Sequence, residues 1–166
     1  MKIASLGSNL NMSWSPDGKY LAVGNKSDTL CVFDAISGHQ LRKRKCSYEV
    51  NELAWTTNAQ SLFAATAAQS AGALEVIDVE HSDDLAVIHS IVAHSATCFS
   101  LCVSHSNTFN INNNNNSTNN NDNNNNSNAA SIIYHNQQRM AVSSVDCCVT
   151  LWSCDDLVVV RTISLE

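Results

Sequence analysis

WSPDGKYLAVG, the stretch from Trp14 to Gly24, decides how this chain folds. Its Ser-Pro-Asp-Gly phrase is typical of a tight turn, because Pro16 presets φ for the second turn position and Gly18 tolerates positive φ. Short apolar runs bounded by polar residues flank the turn, as expected of strands. The stretch therefore predicts two antiparallel strands joined as a hairpin.

The pattern of this stretch recurs twice in degraded form. Trp55 lies 41 residues after Trp14, and Val103 lies 48 residues after Trp55. Further alignments put Leu21-Ala22 over Phe63-Ala64 and Met140-Ala141, and Val32-Phe33-Asp34 over Val76-Ile77-Asp78 and Leu151-Trp152-Ser153. A repeat of ~40–45 residues with four short strands in each unit is typical of a β-propeller blade. The fold class predicted is all-β.

The repeats predict a partial propeller of about three four-stranded blades. We place the outer strand of a preceding blade in residues 1–8 and the blades in 9–46, 47–92 and 93–164. An Asn-rich loop at 106–130 interrupts the third blade. It is too polar to offset its ordering entropy, so we expect it to be disordered. An inert insertion is favoured over a self-associating, prion-like segment, because Phe109 is the one aromatic residue among the asparagines.

Three blades do not close a ring. The first and last blades would then expose apolar faces, which predicts association or poor solubility. We expect the chain to be a fragment, a truncated gene product, or a piece that a partner completes.

Composition narrows the class of protein. The chain has 166 residues, is 44% hydrophobic and carries a formal net charge of −6. It has no apolar run of ~18 residues or more, so we expect no membrane-spanning segment. Its N-terminus does not resemble a secretory signal. The seven cysteines lack a framework spacing, which favours free thiols in the cytosol or nucleus.

One polar constellation stands out in the third blade. In this repeat class a buried His, a Ser or Thr on the second strand, an Asp in the next turn and a Trp on the third strand form a hydrogen-bonded tetrad. Here these positions hold His94, Ser144, Asp146 and Trp152, which can satisfy one another away from water. A Ser-His-Asp catalytic triad is disfavoured, because no Gly-x-Ser-x-Gly turn occurs. The set is predicted to be structural.

Other chemistry is weakly indicated. The first two blades have Phe33 and Ile77 at the Trp position, so we expect them to hold together mainly by apolar packing. Zinc is disfavoured, because Cys98 and Cys102 fall within one predicted strand whose alternate residues are apolar, and a buried Cys acting as a small hydrophobe is the default. The Cys and His residues weighed for zinc are Cys98, Cys102 and His105, and Cys147, Cys148 and Cys154. We predict no metal, no cofactor and no catalytic residues.

Basic charge is concentrated in one run. The run consists of Arg42, Lys43, Arg44 and Lys45. One interpretation is a nuclear import signal or a nucleic-acid contact. The other is the solvated edge of an outer strand, where cations discourage edge pairing. The acidic remainder makes autonomous RNA or DNA binding unexpected. Partner contacts are predicted in loops, at Asn25, Lys26, Asp28, Glu49, Asn51 and Glu52.

Several runs resemble one family. The segments are 11–18, 22–26, 49–55, Ala93-His94 with Cys98, and 149–152 with the following Asp155-Asp156-Leu157-Val158 and Arg161. They resemble, in the same order, the THO complex subunit 3 family of WD-repeat proteins. Ser153 and Ala93 depart from the usual Asp and Gly of such repeats, and a member should have about seven blades, or roughly 300 residues.

The resemblance implies a non-catalytic scaffold in the nucleus. Its partners would be protein subunits of the THO/transcription-export complex, with messenger RNA bound indirectly during mRNA processing and mRNA export. Two other classes stay open. One is an adaptor of another complex, such as a ubiquitin ligase substrate receptor, although the Trp-Asp-x-Arg phrase is missing after Trp152. The other is a propeller enzyme, for which no convergent acids, nucleophile or metal ligands can be assembled.

Overall fold

The computed structural model describes residues 8–68, 71–104 and 138–164. Their twelve strands are β1 (Asn9–Trp14), β2 (Tyr20–Asn25), β3 (Thr29–Asp34), β4 (Gln40–Lys45), β5 (Glu49–Trp55), β6 (Ser61–Ala68), β7 (Ala71–Asp78), β8 (Val87–His94), β9 (Cys98–Val103), β10 (Arg139–Ser144), β11 (Cys148–Ser153) and β12 (Val158–Ser164). Apart from Ser8, the predicted outer strand at 1–8 and the Asn-rich loop at 106–130 lie outside the described residues. Within those residues no helix is long and apolar enough to cross a membrane.

The strands form three antiparallel four-stranded sheets. Their orders are β1-β2-β3-β4, β5-β6-β7-β8 and β9-β10-β11-β12, and we call these sheets blade 1, blade 2 and blade 3. The first strands contact one another in turn, β1 with β5 and β5 with β9. Blade 2 therefore lies between the other two, with the first strand of each blade innermost.

The opening hairpin forms as its sequence predicts. The amide of Gly18 donates to the Ser15 carbonyl over 2.9 Å, and Gly18 has a φ of 71°. The Ser15 hydroxyl donates to Asp17 over 2.7 Å and accepts from the Tyr20 amide over 2.9 Å. Side-chain oxygens thus satisfy the amides that the turn leaves without a strand partner.

The register of the strands corrects one alignment made from the sequence. Trp14 pairs with Leu21, and Trp55 pairs with Leu62. Leu62 rather than Phe63 therefore corresponds to Leu21. The one-residue difference matters because successive side chains on a strand point to opposite faces. Leu62 is buried against blade 1, whereas Phe63 is buried against blade 3.

The second blade is longer than predicted at its outer strand. Gly72 of β7 pairs with His94, so β8 continues two residues beyond the predicted boundary at 92. His94 therefore belongs to blade 2, although it makes its side-chain contacts with blade 3. The last strand of one blade thus supplies a side chain to the interface with the next.

Two apolar clusters fill the spaces between the blades. The first joins Leu30 and Val32 of blade 1 to Trp55 and Ile77 of blade 2. The second joins one face of β6 and β7, including Phe63, to residues of β9, β10 and β11. Each blade is thus held by the side chains that alternate toward its neighbour.

The interrupted hairpin of blade 3 is closed at its base. The Ser104 amide donates to the Arg139 carbonyl over 2.7 Å, and the Arg139 amide donates to the Ser104 hydroxyl over 3.0 Å. Residues 105–137 of this connection lie outside the described part of the chain. The ends of β9 and β10 are therefore held together directly.

Candidate functional site

The candidate site lies where blades 2 and 3 meet at one edge. We call the edge with the β2–β3 turn and the β4–β5 connection, and their counterparts in the other blades, the upper edge; the β1–β2 and β3–β4 turns form the lower edge. His94 ends β8 at the upper edge, and Asp146 lies in the β10–β11 turn. Thr150 and Trp152 are two residues apart in β11, so their side chains share one face.

These four side chains form one chain of hydrogen bonds across the interface. His94 Nδ1 lies 3.0 Å from Asp146 Oδ2, and its Nε2 lies 2.8 Å from Thr150 Oγ1. The Trp152 indole donates to the same Thr150 oxygen over 2.8 Å. All four are satisfied when Thr150 donates to Nε2 and Nδ1–H donates to the carboxylate. The chain joins the outer strand of blade 2 to the third strand of blade 3.

The structure corrects the predicted tetrad at one position. Thr150, not Ser144, lies between His94 and Trp152. The Ser144 hydroxyl instead donates to the Ala96 carbonyl over 3.0 Å and accepts from the Asp146 amide over 3.3 Å. Thr150 could have been found from the sequence, because a hydroxyl two residues before a buried Trp on one strand shares its face.

Asp146 is an anion that caps two loops. Burial alone would raise the pKa of Asp146, but hydrogen bonds from the Cys148 amide, the His94 ring and the Ser95 amide outweigh it and lower the pKa below its ordinary value. Both amides lie 3.1 Å from carboxylate oxygens. The carboxylate is therefore ionised at neutral pH and binds the loop before β9 as well as its own turn.

The order Thr150, His94, Asp146 matches the connectivity of a hydroxyl-His-Asp triad, but its surroundings differ. His94 is 6% exposed and Thr150 is 5% exposed. The Thr150 oxygen also accepts a hydrogen bond from the Trp152 indole. A nucleophile needs a free path to a substrate carbonyl, and this hydroxyl is enclosed between two blades. The arrangement is suited to holding the blades together.

The interface between blades 1 and 2 carries different residues at the same register positions. Ile77 pairs with Leu62 as Trp152 pairs with Met140, so Ile77 is the counterpart of Trp152. Two residues earlier, Glu75 is the counterpart of Thr150. Cys46 follows the end of β4 and is the counterpart of His94. Apolar packing around the fully buried Ile77 takes the place of the indole hydrogen bond.

A buried carboxyl group, that of Glu75, lies at the position of Thr150 in this interface. Glu75 is 7% exposed, and burial raises the pKa of its carboxyl despite the opposing charge of Arg44. Burial, together with the charge of Glu75, also raises the pKa of the Cys46 thiol to about 11. The thiol therefore stays protonated at neutral pH and packs as a small apolar group. The first interface is the less polar of the two in its centre, yet it contains a desolvated acid.

Strand alternation divides the basic run into two pairs. Arg42 Nε donates to the Ser82 carbonyl over 2.9 Å, and Arg44 donates to the Leu85 carbonyl over 3.1 Å, both in blade 2. The other two side chains, Lys43 and Lys45, are exposed. Lys45 Nζ donates to the Ser27 carbonyl over 2.6 Å and lies 3.2 Å from Asp28. The two arginines fasten blade 1 to blade 2, and the two lysines remain near solvent.

The predicted partner-contact residues lie near the upper edge, but some of them shape the fold and others face solvent. Asn25 is buried, and its side-chain oxygen accepts from the amides of residues 27 and 29, which shapes the β2–β3 turn. Asp28 has a φ of 51° and pairs with Lys45. Lys26 and Glu49 are exposed, whereas Glu52 is half-buried. The solvent-facing members of the predicted set are therefore Lys26 and Glu49, with Glu52 partly accessible.

Asn51, also in that set, makes an internal contact that repeats around the inner strands. Its side-chain amide donates to the Cys98 carbonyl of blade 3 over 2.7 Å, and Asn11 donates to the Val50 carbonyl of blade 2 over 2.6 Å. The two residues lie 40 positions apart, one fewer than the 41 that separate Trp14 from Trp55, because Asn51 lies at a register shift in β5. Each of these first strands is tied to the next by an asparagine, although the repeat alignment places Asn11 over Glu52.

The metal candidates are not brought together. Within 8–68, 71–104 and 138–164, no group of three His, Cys, Asp or Glu side chains could hold a metal ion. Cys98 is buried, and its thiol has a pKa raised by burial to about 11, while Cys102 on the same strand is exposed. His105 lies outside the described residues. The described cysteines are free thiols.

A polar cavity opens at the lower edge between blades 1 and 2. It has a volume of about 240 Å³ and includes Asp17, Lys19, Arg42, Gln60 and Glu80 in its lining. Asp17 and Lys19 form an exposed ion pair, 3.2 Å apart. Its lining holds two acidic and two basic side chains, so it has no net preference for an anion or a cation.

The outer faces of blades 1 and 3 carry exposed apolar side chains. On blade 1, Met12 is 66% exposed and Trp14 is 57% exposed, in contrast to the 3% exposed Trp55 of blade 2. On blade 3, an open apolar pocket of about 220 Å³ lies over Cys102 and Ala141. These are the faces that an adjoining blade covers in a closed propeller.

Comparison with known proteins identifies the architecture. The family model of the anaphase-promoting complex subunit 4 WD40 domain matches residues 7–58. Solved structures of the RRP9 WD40 repeats and of U3-55K superpose with TM-scores of 0.67 each, at 11% and 12% identity, over 98% of this chain and 40% and 41% of theirs. At this identity the likeness shows the fold: the predicted partial WD-repeat propeller is confirmed.

A protein of known family matches nearly the whole chain. THO complex subunit 3 of Arabidopsis thaliana is 27% identical over 156 residues, which cover 94% of this chain and 38% of that protein. The resemblance predicted from the sequence is confirmed, including its partial extent. The chain spans less than two-fifths of the length of this relative.

Proposed function

We propose that the chain acts as a non-catalytic WD-repeat scaffold within a nuclear THO/transcription-export assembly, in mRNA processing and mRNA export. The observation that carries the proposal is the match to THO complex subunit 3 along 94% of the chain. A scaffold role also fits the cluster of His94, Asp146 and Thr150, which lies closed between two blades. Propellers of this kind present their edges to partners, and their fold alone does not fix the function.

The upper edge is the surface we assign to protein subunits of such an assembly. Lys26, Glu49 and Glu52 place charges of both signs there without being needed for the turn or for the bonds between blades. Rim charges of this sort set partner choice and association rate more than affinity. Asn25 and Asn51, which lie among them, are committed to the fold.

Co-purification of the tagged chain from its own cells, with mass-spectrometric identification, tests this proposal. Subunits of an mRNA export assembly are expected among the specific partners. A variant with Lys26→Glu, Glu49→Lys and Glu52→Lys should lose them. A matched variant at the lower edge, with Lys19→Glu, Glu80→Lys and Asp83→Lys, makes the same change of charge and should retain them. A partner set without export subunits would reject the proposal.

Contact with RNA is proposed to be indirect, because the chain carries a formal net charge of −6. The purified chain should not shift single-stranded RNA at physiological salt, whereas RNA should co-purify from cells with the intact assembly. Retention of RNA by the isolated chain after a high-salt wash would argue for direct binding instead, since phosphate contacts weaken steeply with salt.

Nuclear localisation is part of the proposal, and Lys43 and Lys45 are the exposed cations of the basic run, with Lys45 also paired to Asp28. Replacing both by Ser should reduce nuclear accumulation of a fluorescent fusion and leave its melting temperature nearly unchanged. Normal accumulation would mean that the chain enters the nucleus by another signal or with its partners.

The second candidate is an adaptor in a different complex, such as a ubiquitin ligase substrate receptor. The match of residues 7–58 to the WD40 domain of anaphase-promoting complex subunit 4 favours it. The same co-purification separates the two candidates, because each predicts a different set of stoichiometric partners.

A further inference from the structure

The outer strand of blade 2 has a free edge on the rim of the molecule. Among the described residues β8 pairs with β7 alone, which leaves the other edge of β8 without a strand partner. Blade 2 has a neighbouring blade on each of its faces, so this edge is not one of the end faces that an adjoining blade would cover. An unpaired edge presents a row of backbone amides and carbonyls to which a strand of another chain can pair.

The side chains of β8 do not protect this edge from pairing. Proteins commonly protect an exposed edge with charged residues or proline. The outer strand of blade 1, β4, carries such protection in its four successive cations, Arg42 to Lys45. In contrast, β8 has the sequence Val-Ile-His-Ser-Ile-Val-Ala-His from Val87 to His94, with no Lys, Arg, Asp, Glu or Pro. The two outer strands therefore differ in whether they exclude a further strand.

The regular part of β8 is short and exposed. Register shifts near both ends of the strand leave a regular stretch from His89 to Val92. Val92 is 73% exposed, and Ile88, just below this stretch, is 50% exposed. A strand added to the edge would cover these two apolar side chains with its own alternate residues. The backbone contact of so short a stretch is small, so a partner would gain from a further attraction nearby.

An acidic turn at the lower edge supplies that attraction. Glu80, Asp83 and Asp84 lie in the turn that leads into β8, and all three are exposed. Arg42 reaches this turn, but its guanidinium donates to the carbonyls of Glu80 and Ser82 rather than to a carboxylate. Cations at the lower end of an added strand would therefore be attracted to these carboxylates, and salt would weaken the attraction.

We propose that the free edge of β8 binds an extended segment of another protein, apolar and β-branched along the edge and basic at the end beside Glu80, Asp83 and Asp84. Antiparallel pairing is expected, because it is slightly more stable per residue. Since β8 runs from the lower to the upper edge, the cations would follow the apolar residues in the partner's sequence. This partner is distinct from the subunits assigned to the upper edge, so the site goes beyond the function proposed above.

A second copy of this chain has the wrong charge for the site. In an antiparallel pair of β8 strands, the acidic turn of each copy would lie beside residues 93–95 of the other copy. Those residues include no Lys or Arg. The pair would therefore leave both acidic turns without a cation.

Binding of a synthetic peptide to the purified 166-residue chain tests the proposal. The probe is an acetylated, fluorescently labelled Thr-Val-Thr-Val-Thr-Lys-Lys peptide, and its anisotropy should rise with protein concentration and fall with added salt. Glu-Glu in place of Lys-Lys should weaken binding about tenfold or more. Methylation of the backbone amides of the Thr and Val residues should abolish binding, because it removes the donors of the ladder and keeps the side chains. Binding by the methylated peptide would overturn the proposal, as would no binding by the first peptide.

Variants of the protein locate the site. Val92→Lys puts a cation on the edge of β8 and should weaken binding of the peptide about fivefold. The matched control is Leu41→Lys on β4, where Leu41 is 45% exposed, and it should bind the peptide as the wild type does. Replacing Asp83 and Asp84 by Asn should remove most of the salt dependence. Circular dichroism checks folding, and Ser90→Lys takes the place of Val92→Lys if that variant does not fold.

Two results with these variants would overturn the proposal. One is equal binding by Val92→Lys and Leu41→Lys, which would place the peptide elsewhere on the chain. The other is a two-copy species of the wild type in sedimentation velocity that Val92→Lys abolishes, which would assign the edge of β8 to a second copy.

Discussion

The two blade interfaces share one strand register but are held by different means. Between blades 2 and 3, His94, Thr150, Trp152 and Asp146 run a polar chain through the packed centre. Between blades 1 and 2, the apolar Ile77 and the buried Glu75 take the places of Trp152 and Thr150. The side-chain hydrogen bonds across that interface include those of Asn11, Arg42, Arg44 and the Trp55 indole. Register and apolar faces are therefore the common requirement of the fold. The polar content of an interface can change while its register and its apolar faces are kept.

Trp152 should be the residue whose loss affects the second interface most. Trp152→Ala removes a 3% exposed indole and its hydrogen bond, which is expected to lower the free energy of unfolding by about 3–5 kcal/mol. Urea denaturation at high dilution measures it. Trp14→Ala, at a 57% exposed indole, is the control and should change stability by about 0.5 kcal/mol or less. Similar losses in both would show that the interface does not carry the stability assigned to it.

Substitution of two glycines by alanine tests how closely the neighbouring chain packs against each of them. A Cβ at Gly72 would collide with the Ala96 carbonyl and the Cys98 backbone, which are fixed, so Gly72→Ala should destabilise by about 1–3 kcal/mol. The three atoms that a Cβ at Gly24 would lie nearest to all belong to the Asn11 side chain. Gly24→Ala should therefore displace that side chain and cost about 0.5–1.5 kcal/mol, the value of its bond to blade 2. Thermal melting of both variants measures the difference, and a larger effect at Gly24 would contradict it.

Substitutions at Thr150 and Ser144 distinguish the observed hydrogen-bond chain from the one predicted from the sequence. Thr150→Val leaves the Trp152 indole and the His94 ring without their shared partner, so a loss of about 1–3 kcal/mol is expected. Thr150→Ser should restore most of it. Ser144→Ala removes the bond to the Ala96 carbonyl and the longer bond from the Asp146 amide, both only part-buried, and should cost less than Thr150→Val in the same urea titration. A larger loss for Ser144→Ala than for Thr150→Val would indicate that Ser144, not Thr150, links His94 to Trp152.

Lowering the pH should increase the contribution of Glu75 to the free energy of unfolding and decrease that of Asp146. The pKa of Glu75 is raised above 4.5, so its contribution to stability falls as pH rises from there through the raised pKa. The pKa of Asp146 is lowered below 3.8, so its contribution is present above 3.8 and is lost as pH falls through the lowered pKa. Relative to wild type, Glu75→Gln should gain stability with rising pH, whereas Asp146→Asn should lose it. Parallel pH profiles of the two variants would contradict these assignments.

Most of the fold could be predicted from the sequence, because the evidence for it is local. The Ser-Pro-Asp-Gly turn and the spacing of Trp14 and Trp55 were sufficient to indicate blades. The alignment of Leu21 was off by one position, since two adjacent apolar residues, Leu62 and Phe63, both suit a strand buried on both faces. Such a strand lacks the alternation that fixes register.

Less of the candidate site could be predicted, because it depends on contacts across blades. His94 and Asp146 were expected together, but the choice between Thr150 and Ser144 needed the face of each strand. The side-chain amide of Asn51 was assigned to a partner, although it reaches the Cys98 carbonyl in the next blade. No pattern within one blade reveals which carbonyl of its neighbour lies within reach.

The division of the basic run determines how mutations there should be interpreted. Replacing Arg42 or Arg44 would loosen blade 1 from blade 2, so a fusion that then failed to accumulate in the nucleus could be misfolded or degraded rather than unrecognised. An import receptor that binds consecutive cations along an extended peptide would also have to separate β4 from β3, with which it is paired. Transport and folding would then compete for Arg42 and Arg44, and any import through this run would be fastest before blade 1 has packed on blade 2.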